Sequence, residues 1–403
     1  MARFLLAWEL GGGLGHATPL AQIAAPLLAA GHEVHCALRD LSILLPVFGP
    51  LATHPRLTVW QAPVWQPTLN GLPPPATYAE LLFRAGYLDA QRLQGLVLAW
   101  RGLLSSLQPQ LLLADHAPTA LLAARGLPMR RALCGTGFFM PLRRQPMLAF
   151  RDWEPMAPRR VHTSEERALA TCNQVLAPLG QAPMAALHEL LAADERFLLT
   201  WPELDHFPAR SEEPGTRYWG ALPGATEGDT VPWPAGDFGR VLAYLKPEHA
   251  ATEAALACLQ AGPWSTVAYV PGLAASLKQR HASPHLVFSD RPVSMAQVGY
   301  TADAVLCHAG SGTVTAALQA GQPVVMLPMH AEQLLFARRV QAAGAGSLLL
   351  EGEVAGQLAD RLDQALRQGP MRQAAQGFAQ RHGASASQVA LQVAQRCIQL
   401  ATG

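Results

Sequence analysis

The chain has 403 residues, half of them hydrophobic and 15% charged, with a formal net charge of +1. That length exceeds one ordinary core and asks for two domains, and the apolar content excludes a disordered chain. Near-neutral charge, with no basic stripe carrying interleaved aromatics, excludes a nucleic-acid binder. The six cysteines, Cys36, Cys134, Cys172, Cys258, Cys307 and Cys397, lie far apart with no metal-ligand spacing. They read as reduced core thiols of a cytoplasmic protein. The opening RFLLAWELGGG lacks the basic flank and apolar centre of a secretion signal. No apolar run approaches the roughly 18 residues needed to span a bilayer, which leaves room only for loose attachment to a membrane surface.

Strand and helix alternate from the start. RFLLAWE (3–9) is an apolar strand, LGGGLGHATP a glycine loop, residues 20–30 a helical stretch stopped by Gly31, and VHCAL (34–38) the next strand. Gly11, Gly12, Gly13 and Gly15 make a loop tight enough for a substrate to reach the backbone, and Pro19 suits a first helical turn after His16. The loop is not a dinucleotide fingerprint. G-x-G-x-x-G counted from Gly11 needs glycine where His16 stands, and from Gly13 it fails on Thr18. An apolar run at 58–65, a Pro-rich stretch and a long helical segment over about 78–107 follow. QPQLLLADHAPTALLAARGLP (108–128) reads as a buried strand ending in Asp115, then a small helix. MRRALCGTGFFMP (129–141) reads as a strand running into an aromatic loop, residues 164–180 and 184–194 as helices, and 196–208 as a further strand. Strand ends from distant sequence converge on one edge of a parallel sheet, so His16 and Asp115 can meet there. Asp115 equally suits the N-cap of the small helix.

From 207 to 238 the composition turns to Pro, Gly and acids, as in linkers. Alternation then resumes with RVLAYLKP (240–247), a helix over 248–261, STVAYVPG (265–272) and HLVFSDRPVS (285–294). AVLCHAGSGTVTAALQAGQPVVMLPMHAEQ (304–333) is one strand–turn–helix–strand crossover, with His308 at the strand end and glycines at the helix start. A helix start offers unpaired N–H groups and partial positive charge, which suits a phosphate. Helices over 332–343, 354–366, 371–381 and 385–399 close the chain. The expected architecture is α/β, with two doubly wound Rossmann-like domains facing across a cleft. Its parts are a first domain at 1–206, a linker at 207–238 and a second domain at 239–384. The last helix, 385–403, is expected to pack back on the first domain.

Four stretches, GLGHATP (13–19), LLLADHAP (111–118), RYWGAL (217–222) and HAGSGTVTAALQAG…PMHAEQ (308–333), together resemble the nucleotide-sugar-dependent family 1 glycosyltransferases of GT-B fold. That family includes macrolide, flavonoid and glucuronosyl transferases. The resemblance implies that His16 is the general base toward an acceptor hydroxyl and Asp115 the carboxylate that orients it. It implies that His308, with Gly310, Ser311, Gly312 and Thr313, holds the departing diphosphate, so that no metal is required. Glu332 and Gln333 match the pair that hydrogen-bonds sugar hydroxyls, and Val293 falls near the backbone that meets the nucleobase. Gly13, Trp65, Phe138 and Phe139 are candidates for a small, largely apolar acceptor. No resident cofactor is implied. The co-substrate is a nucleotide sugar, UDP-linked in the first instance and dTDP-linked in the second, and a hinge in the linker would close over it.

The sequence departs from the family pattern at two places. The ribose-binding glutamate position carries Ala316, and a Gly-Ser turn after the second domain's first strand is replaced by Lys246-Pro247. Lys246 is therefore a candidate for the diphosphate. A GT-B sugar epimerase and a catalytically silent nucleotide-sugar-binding subunit are the alternatives; a dehydrogenase is disfavoured by the failed fingerprint.

Overall fold

Near-continuous Val, Leu and Ala runs such as LLLAD and AVLC can be satisfied only by strands covered on both faces. The computed structural model, which describes residues 1–403 other than 68, 152, 154–157, 223, 225–227, 295–300 and 383–385, places them so. The chain divides into two units, Met1–Leu222 with Ser387–Gly403, and Pro223–Ala386.

In the first unit β1 (Arg3–Trp8), β2 (Glu33–Leu38), β3 (Leu57–Gln61), β4 (Leu111–Asp115), β5 (Arg130–Gly135) and β6 (Glu195–Leu198) form a sheet ordered β3-β2-β1-β4-β5-β6. All its pairings are parallel. The winding leaves β1 toward β2 and β3, then returns to lay β4 on β1's other side, so the topological switch falls between β1 and β4. Register places Trp8 opposite Asp115, and Asp115 opposite Cys134. Phe4, Leu6, Leu111 and Leu113 meet Leu20, Ile23 and Leu27 of the helix Ala17–Ala29 in the core beneath. Val389, Val393 and Cys397 of the last helix, Ala386–Thr402, enter the same core. Each buried Val adds about 1.5–3 kcal/mol, and Arg396 Nε, 2.7 Å from Glu195, holds the helix at β6.

The second unit repeats this winding. β7 (Arg240–Tyr244), β8 (Ser265–Tyr269), β9 (Leu286–Ser289), β10 (Ala304–Cys307), β11 (Val324–Met326) and β12 (Gly346–Leu348) run in the order β12-β11-β10-β7-β8-β9, again all parallel. The switch falls between β7 and β10. Val241, Leu256, Leu306, Val325, Leu358 and Leu362 share its core.

Some elements differ from the sequence reading, each for a local reason. The helix expected over 78–107 is two, Tyr78–Phe83 and Ala90–Leu107. Gly86 turns at φ +95, and Thr77 and Asp89 cap the two starts by accepting from the Glu80 and Arg92 N–H groups. Buried Ala85 and Tyr87 carry the apolar pattern across the break. The helix expected over 184–194 is a 3₁₀ turn, Leu187–Leu191, because the Asn173 amide takes both Met184 backbone groups, at 2.8 and 3.0 Å. β3 stops at Gln61 because Pro63 cannot continue the ladder.

The Pro- and Gly-rich stretch at 207–238 is shared between the units. On the first unit's side Arg210, wholly buried, binds the Asp205 carboxylate at 2.6 Å and the Gly137 carbonyl at 3.0 Å. Tyr218 Oη also donates to Asp205, at 3.0 Å. On the second unit's side Asp229 bridges to Val293, and Pro234 and Ala235 offer carbonyls to Ser265 Oγ and the His285 ring. Positions 223 and 225–227 of the stretch, and 385 at the expected start of the last helix, lie outside the described residues. Among the described residues no helix is long and apolar enough to cross a membrane.

Candidate functional site

At the first unit's switch point His16 occupies the N-cap position of the helix Ala17–Ala29, but its ring does not cap that helix. It turns to β4 instead, where Nδ1–H donates to Asp115 Oδ1 at 2.8 Å, with both side chains buried. Asp115 does not cap the small helix Pro118–Ala124 either. Glu9 does, its Oε2 accepting from the Thr119 N–H at 2.8 Å. The Trp8 ring stacks on His16 at 5.7 Å and the Phe139 edge meets it at 4.6 Å. Burial raises the Asp115 carboxyl above its ordinary range, and the His16 ring pulls it partly back. A proton held on Nδ1 by a carboxylate leaves Nε2 as the basic atom. Nε2 faces Gly11, where φ is +84 and an added Cβ would collide with that nitrogen. Gly11 is bare for two reasons, its backbone and its neighbour.

Three groups beside this pair were not singled out from the sequence. His116 adopts φ +45, is 4% exposed, and has no hydrogen-bond partner on either ring nitrogen. Its ring lies 4.4 Å from Phe139 and 5.7 Å from His16. Burial, followed by the neighbouring His16 ring, pushes it well below the usual histidine range, so it is neutral. Tyr78, wholly buried, lies 6.3 Å from the His116 ring, and its hydroxyl has no partner. Glu9 Oε1 is likewise buried and unpartnered. The ADHAP sequence shows His116 beside Asp115, but only the fold shows that its side chain is unmatched.

The acceptor candidates divide. Phe139 packs on both imidazoles. Phe138 is buried behind it, against Phe150 at 4.7 Å. Gly13 is exposed at φ +75. Trp65 packs against the Gly86 turn, with the Arg92 guanidinium 5.2 Å over its ring.

In the second unit His308 follows β10 and bridges the switch to β7. Its Nδ1–H donates to the Leu327 carbonyl at 2.7 Å, and its Nε2 accepts from the Lys246 N–H at 2.8 Å. Burial lowers it to about 4, the Leu327 carbonyl opposing, so it is neutral at pH 7 with both ring nitrogens engaged. What this corner offers an anion is backbone. After Ala309 turns at φ +58, the helix Ser311–Gln319 starts at Gly310 with no side-chain cap. Its ladder opens with Val314 N donating to Gly310 O, so the N–H groups of Ser311, Gly312 and Thr313 have no acceptor within the helix. Gly312 abuts the Gly224 backbone, where a Cβ would come within 3.1 Å of Gly224 N. Lys246 is half-buried, with Nζ 5.9 Å over the Tyr244 ring. Glu332 sits in the first turn of the helix Ala331–Ala342, and Gln333 Oε1 accepts from the Met329 N–H at 2.9 Å. Val293 is bridged to Asp229, as described above.

Residues 275–400 match the family described as erythromycin biosynthesis protein CIII-like, C-terminal domain. A sterol 3-beta-glucosyltransferase of Vanderwaltozyma polyspora is 49% identical over 47 residues, which is 12% of this chain and only 4% of that protein's length. The glycotransferase of kitacinnamycin superposes with a TM-score of 0.73 at 17% identity, covering 99% of both chains. The glycosyltransferase VinC, solved in complex with dTDP, superposes at 0.64, also at 17% identity and 99% of both chains. The chain therefore has the GT-B glycosyltransferase fold, and its residues 275–400 are similar to the erythromycin-biosynthesis CIII-like C-terminal domain.

Proposed function

We propose that the protein is an inverting glycosyltransferase that moves a sugar from a nucleoside diphosphate to a hydroxyl of a small acceptor. The observation that carries this reading is the 2.8 Å bond from His16 Nδ1 to Asp115, which leaves Nε2 unprotonated over a bare glycine. An acceptor hydroxyl is a poor nucleophile at neutral pH. Nε2 takes its proton as the oxygen attacks the anomeric carbon from the face opposite the diphosphate, and Asp115 stabilises the imidazolium that forms. The C1–O bond to the diphosphate breaks with its electron pair on oxygen. That charge is met by the N–H groups of Ser311, Gly312 and Thr313 at the start of a nine-residue helix.

His308, with both ring nitrogens engaged, positions Lys246 and its loop rather than meeting the phosphate as a cation. Glu332 and Gln333 bind sugar hydroxyls, and Val293 lies by the base. The donor is a UDP- or dTDP-sugar; the dTDP in VinC supports the second.

The test is nucleoside diphosphate release from UDP- and dTDP-glucose, with and without a phenolic acceptor, in the wild type and in His16→Ala and Asp115→Asn. Release that falls about 10²–10⁴-fold in both variants, persists in EDTA and yields the inverted anomer supports the reading. Release unaffected by His16→Ala sinks it, and no release from any donor favours the silent subunit.

A further inference from the structure

A buried polar group without a partner costs about 1–3 kcal/mol, so native chains keep few of them. Around His16 the chain keeps three together: the His116 ring, the Tyr78 hydroxyl and Glu9 Oε1. One has a second cost. A non-glycine residue in the left-handed region is strained by about 1–2 kcal/mol, yet His116 stands there at φ +45, directly after Asp115. Its carbonyl is used, accepting from the Leu10 N–H at 3.0 Å, but an asparagine or glycine would supply that carbonyl more cheaply. The backbone turn therefore explains the position and not the imidazole.

The three groups belong to one cluster. The His116 and Tyr78 rings are 6.3 Å apart, and Phe139 packs against both imidazoles. Glu9 is tied to Thr119, three residues beyond His116, and its charge is felt by Tyr78. All three are nine-tenths or more buried. Half-buried Phe139 is the member nearest solvent.

We propose that His116, Tyr78 and Glu9 are a specificity site that reads a second polar group on the acceptor, on the carbon adjacent to the one bearing the hydroxyl that attacks. The acceptor class is thus a vicinal diol, a catechol or a hydroxy-ketone on an otherwise apolar frame, and not a lone alcohol. The 5.7 Å between the His16 and His116 rings sets the spacing. One oxygen meets His16 Nε2, and its neighbour takes the hydrogen bonds that His116 and Tyr78 lack, once Phe139 is displaced. A site built to bond a substrate hydroxyl rejects the analogue without it, because its own polar groups are then left unpaired. The inference takes from the proposed function only that His16 faces an acceptor.

The probes are catechol, 2-methoxyphenol and phenol, used against the wild type, Tyr78→Phe and His116→Asn. Tyr78→Phe removes one oxygen without touching the backbone, and asparagine accepts the left-handed turn, so both variants keep the fold. The first readout is equilibrium binding without donor. Catechol is expected to bind the wild type at least about tenfold more tightly than phenol, with 2-methoxyphenol between, and each variant to narrow the gap. Equal binding of catechol and phenol to the wild type overturns the proposal, because the three groups are then met by water alone. A preference that survives both variants overturns it as well. The second readout is nucleoside diphosphate release with each phenol. Catechol preference in binding without any transfer refutes the glycosyltransferase reading and leaves the diol site standing. Transfer without preference does the reverse.

Discussion

Glu9 offers a stability measurement that needs no substrate. Its side chain is 1% exposed, and burial raises its carboxyl from 4.5 to about 7, against the opposing Thr119 and Ala120 hydrogen bonds and the Arg39 charge. A carboxyl raised in the folded state destabilises the fold when ionised. The penalty is small below pH 4.5, grows as pH rises from 4.5 to about 7 and levels off above, because only across that window does the folded chain bind more protons than the unfolded one. At about 1.4 kcal/mol for each pH unit across that window it amounts to about 3 kcal/mol, present in full by pH 8. Glu9→Gln removes the charge and keeps a carbonyl for the Thr119 N–H. Its amide inherits the unpartnered place of Oε1, at a cost of about 1 kcal/mol. The net gain at pH 8 is about 2 kcal/mol, or about 4–8 °C in the Tm of a unit this size. At pH 5 the gain disappears and the variant is no more stable than the wild type. Differential scanning calorimetry of both proteins at pH 5 and pH 8 reads the difference, and every other titrating group cancels in it. An offset equal at the two pH values would refute the reasoning.

Outcomes at three further residues follow from the structure. Gly11→Ala puts a methyl against His16 Nε2 in a left-handed backbone, so turnover should fall at least about 100-fold while stability falls only about 1 kcal/mol; near-normal turnover would mean that Nε2 is not the working atom. His308→Phe leaves the Leu327 carbonyl and the Lys246 N–H unmatched, so urea unfolding should show a loss of about 2–5 kcal/mol and donor KM should rise. The wild-type rate should show no inflection from His308 between pH 5 and 8, since the group sits near 4. Arg210→Met strands the Asp205 charge in the core and should cost about 3–5 kcal/mol in the same assay, and adding Asp205→Asn should recover part of it.

The alternation of apolar runs with glycine turns was enough to place the strands of both sheets apart from short β12, whereas their order, and so the two switch points, came only from the fold. Strand burial on both faces is a composition signal, and it survives without any knowledge of neighbours. Breaks within helices were less legible. The apolar periodicity runs through Gly86 because Ala85 and Tyr87 are themselves buried, so only the left-handed turn and the two caps separate the helices. Composition in the linker gave no sign that Arg210 is held by buried Asp205, or that Asp229 bridges Val293 far along the chain.

The same limit governs the site. Asp115 read equally well as a helix cap and as a partner for His16, because both roles need only a carboxylate at a strand end. The choice was made elsewhere. Glu9 reaches across the switch point and takes the Thr119 N–H, and the Pro118–Ala124 helix then has no use for Asp115, which turns to the imidazole. An acid that looked incidental in AWELGGG thus leaves the nearby acid available for chemistry. Replacing Glu9 by alanine should show whether the division of labour holds. If Asp115 then swings to cap the helix, His16 loses its Nδ1 acceptor and the rate falls with the pair rather than with Glu9 itself. The His16 imidazole ¹⁵N shifts would report that change directly, the Nδ1–H signature giving way to a mixture of tautomers. Unchanged shifts in Glu9→Ala would mean that Asp115 is held at His16 by the strand register alone.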